Sequence, residues 1–248
     1  MIFADPKNPR AVDLEQRLRG VFAGEEVDGL HLVLGGDGFL LRTVSKHGLH
    51  RPYLGLSCGT LGFLMNEVPD SVERLARLLT ERRWRVMRHP LLQADLRCAD
   101  GTHTQESAIN DVGLFRAGAH ACKLRITVDD QVVVERMAGD GLLVATALGS
   151  TGYSFSAGGT PHHPEVPTLL MTPVCPHRPK LSPVALPMTA QIEVDVLNPD
   201  RRPVNAMADG RSVSDVVGMR VGYGEAAVEL AYLEGHDYTR HLVEKILR

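Results

Sequence analysis

The 248-residue chain reads as an α/β N-terminal domain with a parallel sheet, followed by a β-rich antiparallel C-terminal domain. Three observations predict this. Short apolar runs alternate with helical periodicities over the first third of the chain. After Trp84 the texture changes to runs in which apolar and polar residues alternate. Asp100-Gly101 and Asp129-Asp130 then fall where hairpin turns belong. The expected boundaries are residues 1–83 for the α/β domain and 84–235 for the β-rich one, with 236–248 packing back on the first.

Ile2-Phe3-Ala4 is a short strand stopped by Asp5-Pro6. Between Pro9 and Gly24, the positions Val12, Leu14, Leu18, Val21 and Phe22 recur at near-helical spacing, which predicts a helix over 10–22. Leu30 to Leu34 is a buried-type strand that empties into Gly35-Gly36-Asp37-Gly38. Phe39, Leu40, Leu41 and Val44 then begin a second helix. Tyr53 to Leu56 is a third strand, and Ser71 to Arg82 a third helix with Asp70 or Ser71 as N-cap. In the second part, strands are expected at 85–88, 91–96, 123–128, 131–135, 191–196 and 226–230. The proline-rich segment from Pro161 to Pro187 reads as irregular connection, and His236 to Arg248 as a closing helix.

Composition narrows the functional classes. With 27 Lys+Arg against 30 Asp+Glu, the formal net charge is −3, which argues against a nonspecific nucleic-acid binder. No basic run suggests a lipid surface, and no stretch approaches the roughly 20 apolar residues that span a bilayer. The start, Met1 to Lys7, has no charged n-region followed by an apolar run, so no signal peptide is expected. Cys58, Cys98, Cys122 and Cys175 are far apart and form no C-x-x-C, which fits a reducing compartment; the expectation is cytoplasmic.

The sharpest chemical signal is Leu-Val-Leu-Gly-Gly-Asp-Gly-Phe at 32–39. A buried strand runs into glycines able to adopt positive φ and admit a ligand to the backbone. A helix then begins with its unpaired N–H groups aimed at the same spot. That combination suits a diphosphate. Asp37 is the odd element, because a carboxylate repels phosphate unless it binds a metal, hydrogen-bonds a hydroxyl or accepts a proton. The plain alternative is a tight turn with Asp37 as helix N-cap. The loop is neither the Walker pattern nor Gly-x-Gly-x-x-Gly. A second signal is the Gly/Ser/Thr-rich stretch ending 139–159, with Tyr153 and Phe155 embedded. Small hydroxylated residues offer hydrogen bonds without blocking access, and an aromatic ring can stack a base. A third, weaker alone, is Asn110-Asp111 on a strand. His162-His163 with Cys175 and His177 fits no standard zinc spacing, and no Gly-x-Ser-x-Gly elbow marks a hydrolase.

In order along the chain, these segments resemble the NAD kinase family. Its members carry a Gly-Gly-Asp-Gly loop, an Asn-Glu/Asp pair and a Gly/Ser-Asp-Gly…Gly-Ser-Thr-Ala-Tyr-Ser…Ser-Ala-Gly-Gly segment. Residues 35–38, 110–111 and 139–159 match them, Gly59-Thr60-Leu61-Gly62-Phe63-Leu64 matches Gly-x-Leu-Gly-Phe-Leu, and Ala208-Asp209-Gly210 resembles a late Asp-Gly turn. The resemblance implies phosphorylation of the adenosine 2′-hydroxyl of NAD to give NADP, with ATP or polyphosphate as donor. It also implies a homodimer or homotetramer. Mg²⁺ or another divalent cation would accompany the donor, with no metal ligand assigned in the protein. Asp37 matches the family's proposed base. Gly36, Gly38, Arg42, Asn110, Asp111, His120, Asp140, Thr151, Gly152, Tyr153, Ser154, Ser156 and Arg211 match substrate-binding positions. Departures are Ala147 for a family Pro, Gly152 for Ala, Arg211 for the usual Gln, and Ala138 where an Arg is common. Two rival functions share parts of this pattern: a lipid kinase of the diacylglycerol or sphingosine type, and a non-catalytic NAD(P)-binding sensor.

Overall fold

The computed structural model describes residues 1–22, 29–59 and 62–246. Gly24, Thr60, Leu61 and the last two residues of the expected closing helix lie outside them. The chain begins β1 (Ile2–Ala4), α1 (Pro9–Phe22), β2 (His31–Gly35), α2 (Asp37–His47), β3 (Tyr53–Ser57) and α3 (Val72–Thr80), in the expected order. β1 pairs with β2, and β2 with β3, all parallel, with Phe3 opposite Val33 and Leu32 opposite Leu54. A parallel strand covered on both faces needs a continuous apolar run, and every residue of β2 is buried. Ser71, not Asp70, caps α3: its hydroxyl accepts the Arg74 N–H at 3.1 Å.

The remaining elements are β4 (Trp84–Cys98), β5 (His103–Ala108), β6 (Asp111–Arg116), β7 (Cys122–Val128), β8 (Gln131–Gly139), β9 (Gly141–Thr146), α4 (Tyr153–Ser156), β10 (Thr168–Val174), β11 (Val184–Pro187), β12 (Ile192–Val196), β13 (Val204–Ala208), β14 (Arg211–Val213), β15 (Val216–Leu233) and α5 (Tyr238–Ile246). A 3-10 turn, Leu148–Thr151, precedes α4. Asp129 and Asp130 adopt φ of 48° and 63°, the left-handed pair that a tight hairpin between β7 and β8 requires. The two strands expected at 85–88 and 91–96 are one, β4.

The proline-rich segment is not irregular throughout. It holds β10, seven residues all buried, and β11. β10 pairs antiparallel with β9, Leu170 opposite Ala145. β11 covers β10 only from Thr168 to Met171, so Pro173 has a strand on one side alone, where its missing N–H is tolerated.

The chain forms two compact units, Met1–His89 with Ala227–Arg248, and Pro90–Ala226. These limits differ from the expected 83 and 235 because long strands pass from one unit into the other. The end of β15 belongs to the first unit: Leu230 pairs parallel with Tyr53, and Asn66 Nδ2 donates to the Ala231 carbonyl at 3.0 Å. Leu14, Leu18, Leu32, Leu54, Leu75 and Leu233 lie in the core of that unit. In the second unit one antiparallel sheet runs β11-β10-β9-β6-β13-β14. A second ladder joins β8, β7, β12 and the start of β15. Leu114, Val144 and Leu169 from the first and Ile126, Met137 and Ile192 from the second share one core. No helix among the described residues is long and apolar enough to cross a membrane. The four cysteines are free thiols.

Candidate functional site

In the first unit the site is built where β2 ends. Gly36 is the N-cap of α2, with φ −128° and ψ 176°, and caps without a side chain. Asp37 therefore stands one residue inside the helix and is not its cap. Its carboxylate turns to another loop, where Oδ2 accepts the Phe63 N–H at 2.7 Å and Oδ1 the Leu64 N–H at 3.1 Å. None of the loop's glycines adopts positive φ, and only Gly35 is short of space: a Cβ there would lie 3.1 Å from the Phe39 side chain and 3.3 Å from that of Asp5, whereas one on Gly36 would meet nothing within 4 Å. Gly38 is exposed, and a Cβ there would meet the Arg42 guanidinium at 3.4 Å. Arg42, also exposed, sits 5.9 Å from the Phe39 ring centroid.

In the second unit Asn110 lies in the turn after β5 and Asp111 opens β6, so the strand expected for the pair holds for Asp111 alone. Three anchors shape this turn. Thr146 Oγ1 donates to the Ile109 carbonyl at 2.8 Å and accepts the Gly149 N–H at 2.8 Å. The Thr146 N–H reaches the Asn110 carbonyl at 2.9 Å. Gly149 is forced, because any Cβ would fall 2.1 Å from the Asn110 carbonyl oxygen. From the other side, the Asp209 carboxylate accepts the N–H groups of Ile109 at 2.6 Å and Asn110 at 2.9 Å, and a longer one from Asp111 at 3.4 Å. Burial pushes the Asp111 carboxyl up to about 7, and the nearby Asp209 charge adds to it. Burial raises Asp209 as well, while its three amide donors and Arg211 oppose that rise.

Asn110 Oδ1 is buried and has no hydrogen-bond partner among the described residues, although a buried acceptor normally finds one. Gly152 lies beside this pair, its Cβ position 3.7 Å from both Asn110 Nδ2 and Asp111 Oδ2. Tyr153 is 48% exposed and stacks on Phe115, centroids 5.5 Å apart and planes 22° apart. The structure thus gathers Asn110, Asp111 and Gly152, with the Tyr153–Phe115 stack next in the chain.

Other expected residues fall elsewhere. Ser154 is fully buried, and its hydroxyl bonds Thr172 Oγ1 at 2.8 Å, so it fastens α4 to β10. Thr151 is buried, its hydroxyl directed at the Leu148 carbonyl at 3.4 Å, whereas Ser156 is exposed. His120 is exposed on the connection from β6 to β7, outside the turn's hydrogen-bond network. Arg211 is held by Glu106 at 3.1 Å and by the Ser107 carbonyl. Asp140 precedes β9 at the end where Gly141 faces Phe115, and Asp111 faces Ala145 at the other. With the Arg116 N–H bonded to the Asp140 carbonyl, the two residues are five register steps apart, about 16 Å along the strand. Arg116 Nε holds Asp140 at 2.6 Å. Sequence reasoning missed Phe115, Thr146 and the role of Asp209; the only signal among them was the Asp-Gly turn at 209–210.

Residues 109–226 match the family model of the ATP-NAD kinase C-terminal domain. An NAD kinase of Mesorhizobium japonicum is 36% identical over 222 residues, covering 88% of this chain and 84% of that protein. One of Cereibacter sphaeroides is 39% identical over 228 residues, covering 89% and 86%. Among solved structures, yeast NADH kinase complexed with NADH superposes with a TM-score of 0.86 at 23% identity, covering 99% of this chain and 86% of that one. An NAD kinase from Archaeoglobus fulgidus in complex with ATP gives 0.80 at 24% identity, covering 99% and 97%. The last two establish the fold, and the relatives above 30% identity establish more: this chain belongs to the NAD kinase family.

Proposed function

We infer that the chain transfers a phosphoryl group to the adenosine 2′-hydroxyl of NAD, giving NADP, with ATP or polyphosphate as donor. The observation that carries this is the Asn110-Asp111 turn: a buried, unpartnered amide oxygen beside a carboxyl, with an exposed aromatic stack following Gly152. Asn110 Oδ1 would accept from the base or a ribose hydroxyl, Asp111 would bind ribose hydroxyls, and Tyr153 would stack the adenine. Asp37 would orient the 2′-hydroxyl and take its proton late in the attack. A carboxylate oxygen accepts more than one hydrogen bond, so the Phe63 and Leu64 amides fix Asp37 without barring a hydroxyl donor. A carboxylate is a weak base for an alcohol, so the orienting role exceeds the proton-accepting one.

Among the described residues no group of three or more His, Cys, Asp or Glu is arranged to hold a metal. In this reading the divalent cation arrives on the donor's phosphates, where it neutralises their charge. The family resemblance supports a homo-oligomer, and the scattered cysteines support a reducing, cytoplasmic setting. The test is direct. Purified protein with NAD, Mg²⁺ and either ATP or polyphosphate should form NADP, and diacylglycerol in place of NAD should remain unmodified. No NADP with either donor would refute the reading.

A further inference from the structure

Asp209 was matched only as part of a late Asp-Gly turn, yet the Asn110-Asp111 turn hangs on it. Its carboxylate takes three successive backbone N–H groups, Ile109, Asn110 and Asp111, across about a hundred residues of sequence. Its own N–H returns to the Asp111 carbonyl at 3.2 Å, so the two segments clasp each other in both directions. Asp209 adopts φ 44°, a left-handed conformation that a non-glycine residue holds only when its surroundings impose it. An aspartate is suited to that position, because its short side chain tolerates the left-handed region and reaches neighbouring amides.

We propose that Asp209 is a positioning residue for nucleotide binding, its carboxylate holding residues 109–111 in the shape that presents Asn110 and Asp111 to NAD. This rests on the assignment of that turn to NAD made above. Three amides converging on one half-buried carboxylate act as charge-assisted hydrogen bonds, stronger than neutral ones. They also decide which acid of the pair carries the charge. Asp209 has the donors and the Arg211 guanidinium on its side, whereas Asp111 has the Asp209 charge against it. Arg211 is itself held by Glu106, and the neighbouring Gly152 and Asn110 bring no charge to Asp111. Asp209 therefore sets both the shape of the turn and the protonation of Asp111.

The two effects are separable by experiment. Asp209→Asn should raise the KM for NAD roughly tenfold or more, with kcat changed less than about threefold. It should also move the acid limb of the kcat/KM profile to lower pH, since the negative charge facing Asp111 is gone. Asp209→Glu, which keeps the charge, should leave that limb in place while raising KM. A role confined to stability would lower the melting temperature and leave the limb unmoved. Wild-type KM and an unshifted limb in Asp209→Asn would overturn the proposal. Should that variant fail to fold, amide hydrogen exchange on the unaltered chain answers the same question. The Ile109 and Asn110 amides should be protected at neutral pH and lose protection as the acid pair is protonated; fast exchange at neutral pH would overturn it. Asp111→Ala keeps the two readings apart. If it binds NAD normally, the assignment of the turn fails, whereas loss of NAD in Asp111→Ala with normal binding in Asp209→Asn sinks only the role of Asp209.

Discussion

Asp37 and Phe63 lie 26 residues apart, and the Phe63 N–H meets Asp37 Oδ2 at 2.7 Å. The contact joins the start of α2 to the loop after β3, with Leu64 N–H on the second oxygen. That loop is fastened in turn, because His241 of α5 bonds the Gly62 carbonyl at 2.7 Å. The aspartate is thus oriented by two main-chain amides.

Asp37→Asn should preserve NAD affinity within about threefold while lowering turnover by 10²–10⁴-fold, the usual loss with a general base. The amide has one acceptor oxygen for two N–H donors, so a loss of stability on the order of 1–3 kcal/mol should accompany it, read as a lower melting temperature. Steady-state kinetics with calorimetric titration of NAD decides this. Turnover above about a tenth of wild type would reduce Asp37 to a structural anchor.

Tyr153→Ala should weaken NAD binding by about tenfold, the usual worth of a stacked base, with little loss of stability because the ring is half exposed. Ser154→Ala next to it should do the reverse. Its hydroxyl is spent on Thr172 in the interior, so the change should cost about 1 kcal/mol of stability and leave the KM for NAD alone. Equal effects of both variants on NAD affinity would contradict the geometry.

Acid should destabilise the first unit through His89. This ring is buried, its Nε2 has no partner among the described residues, and burial pushes its pKa from 6.5 down to about 4. The unfolded chain binds the proton more readily than the folded one. The contribution is therefore complete above about pH 6.5 and disappears as pH falls towards 4, amounting to at most about 3 kcal/mol. Burial lowers His31 in the same direction. Thermal unfolding of wild type and His89→Phe between pH 7 and 4 should show a shallower pH dependence in the variant; parallel curves would exclude His89.

NAD and NADH should both be phosphorylated. Ala138 lies in a groove of about 460 Å³ with Arg136, His177, Arg178 and Pro179. Arg116 is occupied by Asp140, while Lys123, the cross-strand partner of Ala138, stands with Arg136 and Arg178 among the cations near this position. A charge contact at a partly exposed site is worth on the order of 1 kcal/mol, so discrimination should stay within about tenfold. Catalytic efficiencies measured side by side decide it, and a preference beyond roughly a hundredfold for either form would reject the idea.

Much of the architecture was legible because it rests on local pattern. The apolar run of β2, the periodicity of α1 and α3, and the paired Asp129-Asp130 turn each carry their information within a few residues. The strand β10 was hidden, since prolines mark irregular chain unless one knows that β11 leaves Pro173 with a single neighbour.

By itself the sequence determined the order of elements in the first third of the chain, the two-part fold class and the segments where nucleotide chemistry gathers. Those follow from side-chain period, backbone restrictions of Gly and Pro, and residue types that can bond a nucleotide. Only the tertiary structure decided what each polar side chain bonds. Ser154 turned inward to Thr172, Asp140 went to Arg116 at the far end of β9, and Asp209 reached the turn at 109–111. A hydrogen bond depends on which strands lie side by side and in what register. Pairings of Asp209 with Ile109 or Ser154 with Thr172 are set by the packing of whole sheets, which no local spacing records.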